Sequence, residues 1–208
     1  TTIYRNLPYA HNPHERQVLD LYLPTSLTPL PLVIWVHGGA FRMGDKESPP
    51  LEVLAEGYAL ASIHYRLSQH AIWPAQIQDC KAAVRWLRAH AAQYNLNPNH
   101  FAAWGPSAGG HLVAHLGVTG GLRQFAAGEF LEISDRVQAV VDYYGPTDFL
   151  QMDDHRPLPH GMVHNLPDSP ESELVGGLIT EHTDWVAAAN PITYVTSSAP
   201  PFLVVHGD

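Results

Sequence analysis

The chain has 208 residues, the size of one domain, and 45% of them are apolar, enough to fill a sizeable core. Eleven basic against twenty acidic residues give a net charge of −9 with no basic stripe, which argues against a nucleic-acid partner. No apolar run reaches the roughly 18 residues that a membrane-spanning helix needs, and the one cysteine, Cys80, has no partner for an internal disulfide.

The chain opens on Thr1 with no methionine and no charged-then-apolar leader, the expectation for a processed or trimmed start; cytoplasmic and secreted locations both stay open. Residues 2–10 and 16–24 show near-alternating apolar positions and predict a hairpin of two strands. "LPLVIWVHGG" (30–39) is a continuous apolar run ending in glycines, the pattern of a strand buried on both faces of a parallel sheet. A short helix over Leu51–Glu56 and a buried strand over Tyr58–Arg66 follow. Pro74 to Tyr94 predicts the clearest helix, with Ile77, Cys80, Val84, Leu87 and Ala91 on one stripe and Pro74 in the first turn.

"HFAAWG" (100–105) predicts a strand, Ala108 to Val118 a helix, and Val137 to Gly145 another buried strand. The segment from Gly120 to Pro170 leaves the sheet pattern and is expected to cap a site. Its part from Met152 onward is rich in Pro and His and is expected to be irregular. Short helices are expected over Ser172–Ile179 and Thr183–Ala189, with Ser172 and Thr183 as caps. "PPFLVVHGD" (200–208) predicts a last strand. Strands alternating with helices in this order predict one α/β domain over 1–208, a mostly parallel sheet with helices on both faces. Such sheets bind ligands at the carboxyl ends of their strands.

Two motifs lie at such ends. "GPSAG" (105–109) fits G-x-S-x-G between a strand and a helix, which lifts the Ser107 hydroxyl above the sheet on a strained turn. It fits neither glycine-rich nucleotide-binding pattern. "HGGA" (37–40) exposes bare backbone at the end of a strand. Acyl transfer to a serine creates an oxyanion that needs preorganised N–H donors. Gly39 and Ala40 are two candidates and Ala108, after the serine and at a helix N-terminus, is the third. His37 is expected to brace the loop rather than act as base.

"HGGAF", "GPSAGGH" and "YYGPTDF" together resemble the α/β-hydrolase fold in its esterase branch with an HGG-type oxyanion loop. "HGGAFRMGDKESPP", "YRLSQHAIWPAQIQDCKAAVRWLR" and "NPITYVTSSAPPFLVVHGD" are similar to the bacterial acetyl esterase and feruloyl-esterase-like carboxylesterases. The resemblance runs from the first strands to the last residue and implies a serine hydrolase without a cofactor. It departs at Pro106, where the family more often carries Ser, Glu or Gly.

In this fold the triad follows the order serine, acid, histidine. The resemblance places the acid in "HG-x-x-D", two positions past Asp208, and the histidine later still. The expectation is therefore a chain that looks cut, holding the nucleophile and oxyanion loop without the usual acid or base. Asp148 in "GPTD" is the substitute acid to consider, against its reading as a turn residue bonded to nearby backbone. His111 and His115 follow the serine on the helix, pointing along it, and lack the further ligands of a zinc site. His160 and His164 flank Gly161 among prolines, which excludes a helical ligand pair and leaves a loop imidazole near the site.

The expected activity is cleavage of small carboxylic esters with short-chain or aromatic acyl groups. Phe41, Tyr144 and Phe149 are pocket candidates, with Phe125 and Phe130 as further ones against ordinary core packing. The alternatives are a non-catalytic binding module that keeps the cleft, or a site completed by another chain. "PFLVVH" carries no Lys, bulge or internal Pro to protect an edge, so pairing with a second copy through this strand is also an expectation.

Overall fold

The computed structural model describes residues 1–156 and 161–207. Its strands are β1 (Thr2–Pro8), β2 (Val18–Leu23), β3 (Leu30–Val36), β4 (Ala59–Ile63), β5 (Leu96–Pro106), β6 (Ala139–Tyr143) and β7 (Phe202–Val205). They form a seven-stranded sheet in the order β1-β2-β4-β3-β5-β6-β7. β1 and β2 pair antiparallel, β2 joins β4 antiparallel, and the remaining pairs are parallel.

The helices are α1 (Ala75–Ala89), α2 (Ala108–Val118), α3 (Pro170–Val175) and α4 (Thr183–Ala189). Both faces of the sheet are covered, but unequally. One carries the large core: Leu32, Ile34 and Val36 of β3 and Ala61 and Ile63 of β4 meet apolar residues of all four helices. The other has a small cluster of Tyr22, Val33 and Leu60 under Trp35, Trp104 and the 3-10 turn Leu51–Leu54.

Several local expectations change. α1 ends at Ala89 rather than Tyr94, and Pro74 stands at its N-cap instead of inside the first turn. The cap of α3 is Ser169, whose hydroxyl accepts from the Ser172 N–H at 3.1 Å; Ser172 lies inside the helix. α4 is capped at His182, and Thr183 is its first residue. β6 alternates between buried and half-buried positions, and β7 is exposed at Leu203, Val204 and Val205.

The segment expected to cap the site divides in three. Its first part is fastened to α1, where the buried Lys81 ammonium meets Asp135 at 3.0 Å and Arg85 donates to the carbonyls of Ala127 and Glu129. β6 then returns it to the sheet, and of this segment Asp142 of β6 and residues beyond β6 border the cavity described below. A buried ammonium needs its carboxylate partner, and that pairing holds the first part against α1.

Candidate active site

β3 and β5 are parallel neighbours, so their carboxyl ends deliver both motifs to one edge of the sheet. The glycines set how close they come. A Cβ on Gly109 would sit 2.0 Å from the Val36 carbonyl oxygen, so only glycine lets the start of α2 press against the end of β3. A Cβ on Gly38 would likewise meet the Pro106 carbonyl at 2.9 Å and the Ser107 Cβ at 3.4 Å.

Ser107 has φ 54° and ψ −122°, a conformation that costs a non-glycine residue on the order of 1–3 kcal/mol. The turn is over-determined: its N–H donates to the Tyr143 carbonyl at 2.8 Å and its carbonyl accepts from the His111 N–H at 3.0 Å. Among the described residues, the Ser107 hydroxyl has no hydrogen-bond partner, and no imidazole is bonded to it.

The loop after β3 has three consecutive positive φ values, at Gly39 (120°), Ala40 (53°) and Phe41 (59°). The Gly39 carbonyl accepts from the N–H groups of Arg42 and Met43 at 3.1 and 3.0 Å, which closes the turn. Among the described residues, the N–H groups of Gly39, Ala40 and Ala108 donate to no protein acceptor. Ala40, Phe41, Ser107 and Ala108 all line one cavity of about 990 Å³, a size suited to small-molecule substrates.

His37 braces this loop. Arg16 Nη2 donates to His37 Nε2 at 3.0 Å, so Nδ1–H donates to the Gly38 carbonyl at 2.7 Å. The Tyr65 hydroxyl donates to the His37 carbonyl at 2.9 Å, and its ring stacks on the imidazole. Burial, reinforced by the Arg16 charge, lowers the His37 pKa to about 4. Both ring nitrogens are thus occupied and the ring is neutral near pH 7.

The other candidates separate. Tyr144 lines the cavity, half-exposed, and Phe41 lines it from a buried position. Phe149 does not: it is fully buried and stacks on His111, with Phe41 6.2 Å away, as part of the layer behind the wall. Phe125 is likewise core, against Trp73, His115 and Tyr194, and Phe130 packs on His90. Large rings follow the apolar core wherever it reaches, and sequence alone does not tell the two settings apart.

His111 Nδ1 contacts the Pro146 carbonyl at 2.7 Å, and burial lowers its pKa to about 4. His115 is also buried, which holds its pKa well below the usual value. Asp148 lines the cavity, but its carboxylate accepts from Gln151 Nε2 at 2.6 Å and Asn190 Nδ2 at 3.1 Å, not from nearby backbone. Asp142, beneath the turn, is pushed up by burial against the Gly145 N–H that it accepts. His160 and Asp208 lie outside the described residues.

Sequence reasoning missed three contributors. Arg16 is remote in sequence and carries no motif. Glu171 and His206 enter the cavity wall only through the fold, Glu171 from the first turn of α3 and His206 just after β7.

Residues 19–208 match the family described as BD-FAE. The chain belongs to this family. It is 37% identical to Esterase LipC of Mycobacterium tuberculosis, over 98% of the chain and 50% of that protein. It is 36% identical to the probable carboxylic ester hydrolase LipM of the same organism, over 85% of the chain and 40% of that protein. The chain thus spans about half the length of the curated relatives it matches. A solved truncated form of a carbohydrate esterase from gut microbiota superposes with a TM-score of 0.91 at 35% identity, covering 100% of the chain and 77% of that structure. The BD-FAE chain therefore has the α/β-hydrolase fold of esterases.

Proposed function

We propose that the protein is a serine carboxylesterase, with Ser107 as nucleophile and the N–H groups of Gly39, Ala40 and Ala108 as the oxyanion hole. One observation carries this reading: among the described residues, a strained serine whose hydroxyl has no partner shares one cavity wall with Ala40 and Ala108, two of the three unpartnered backbone donors, and Gly39 directly precedes Ala40. The esterase relatives support it.

The chemistry follows from these parts. Ser107 Oγ attacks the ester carbonyl carbon and gives its proton to a general base. The C=O π electrons move to oxygen, and the N–H donors stabilise that charge because they are already oriented. Collapse expels the alcohol, which takes up the proton, and leaves an acyl group on Ser107. Water then attacks the acyl carbon and releases the acid. The general base is an imidazole brought to Oγ, a place that no described imidazole occupies. The acyl groups of this reading are short-chain or aromatic, and the similarity to a carbohydrate esterase supports a sugar as the alcohol.

Ser107→Ala should abolish p-nitrophenyl acetate hydrolysis by the wild-type protein. A residue above about a thousandth of wild-type turnover would sink the assignment. Absence of turnover in the wild type at a confirmed intact mass would favour the binding-module reading. Restored activity on mixing Ser107→Ala with wild-type copies would instead point to a site shared between chains.

A further inference from the structure

The cavity wall has two characters. Residues 191–204 contribute Ile192, Val195, Phe202 and Val204, whereas residues 148–171 contribute Asp148, Gln151, His155, His164 and Glu171 beside Met152, Met162 and Pro170. Within the polar part, His164 and Glu171 form a built pair: His164 Nδ1 lies 2.8 Å from Glu171 Oε2. Glu171 is buried, and His164 is partly open. The carboxylate accepts from Nδ1–H, which leaves Nε2 to meet a hydroxyl, a group that both donates and accepts. Nε2 has no partner among the described residues.

The pair is also fixed in position. Asp153 accepts the N–H groups of His164 and Asn165, both at 2.8 Å, which holds the loop that carries the imidazole. Arg42, next to the oxyanion loop, donates to Glu173 Oε2 at 3.0 Å and to the Asp168 carbonyl at 3.2 Å. The loop that would hold the oxyanion is therefore tied to the helix that carries Glu171. His164 and Ser107 line the same cavity, so a group bonded to His164 can belong to the same substrate that Ser107 attacks.

We infer that His164, oriented by Glu171, binds a hydroxyl on the alcohol portion of the substrate and so selects hydroxylated alcohols over plain alkyl ones. This rests on the esterase reading above. A site built to bond a hydroxyl discriminates strongly against the analogue that lacks it, because its polar group is then left unpaired. The aliphatic residues of 191–204 remain for the acyl group.

The test compares glycerol 1-butyrate with propyl butyrate, which share the acyl group and differ in two hydroxyls. Wild-type protein should favour the glycerol ester at least about tenfold in kcat/KM. His164→Phe keeps a ring without its nitrogens. It should bring the ratio to about one through KM, with propyl butyrate changed less than about twofold. His164→Gln, which retains a hydrogen-bonding tip, should recover part of the preference. Thermal melts of each variant establish that it is folded. If His164→Phe loses both substrates equally, or the ratio does not move, the assignment is wrong. If wild type cleaves propyl butyrate through Ser107 without preferring the glycerol ester, this inference fails and the esterase reading stands. If neither ester shows Ser107-dependent cleavage, both fall.

Discussion

The Arg16 guanidinium bonds His37 Nε2 at 3.0 Å and, through the same nitrogen, the Gly44 carbonyl at 2.9 Å. Its Nε donates to the Tyr65 carbonyl at 2.9 Å. One side chain from the β1–β2 connection thus clamps both ends of the glycine loop to the end of β4. We predict that Arg16→Ala lowers kcat for ester hydrolysis on the order of tenfold to a hundredfold, since small misplacements of positioned groups cost that much. KM should change little. A variant with wild-type kcat would show that the loop holds its shape without the clamp.

Ser107 offers a test of stored strain. Its backbone lies at positive φ, and its hydroxyl has no partner among the described residues to offset the cost. Ser107→Ala and Ser107→Gly both remove the hydroxyl, but only glycine adopts this conformation freely. Ser107→Gly should therefore be more stable than Ser107→Ala by about 1 kcal/mol, even after glycine's extra unfolded-state entropy. Urea unfolding of the pair measures it. An alanine variant equal to or more stable than the glycine one would refute the strain.

Acid should weaken the fold through its buried histidines. Burial lowers the pKa of His37 and of His111 to about 4, and that of His64 to about 3, from 6.5. Below pH 6.5 the unfolded chain binds protons at these rings while the folded chain refuses them. Stability is therefore full above about pH 6.5 and is lost as pH falls towards about 4, by up to about 3 kcal/mol for each fully buried ring. Denaturant midpoints at pH 7.5, 5.5 and 4.5 should fall in that order, with proton uptake on unfolding at pH 5.5. A flat profile across this window would contradict the buried, neutral rings.

The amino-acid sequence by itself determined the alternation of strands and helices, the parallel core strands, and the serine and glycine turns at two strand ends. Each is written in neighbouring residues: a continuous apolar run for β3, a helical stripe for α1, a strand–G-x-S-x-G–helix succession around Ser107. The fine placement of caps was not legible. Ser169 and Ser172 are both good caps, and only the bond between them shows which one ends the chain's extended approach.

Tertiary structure alone decided which aromatic rings face the cavity, since Phe41 and Phe149 share an apolar character and differ only in which side of the wall they occupy. It alone brought Arg16 to His37, 21 residues away, and Glu171 to the cavity that Ser107 lines. Local pattern reports what a residue's immediate neighbours require. Contacts between distant side chains depend on sheet order and helix packing, which no short window of sequence encodes.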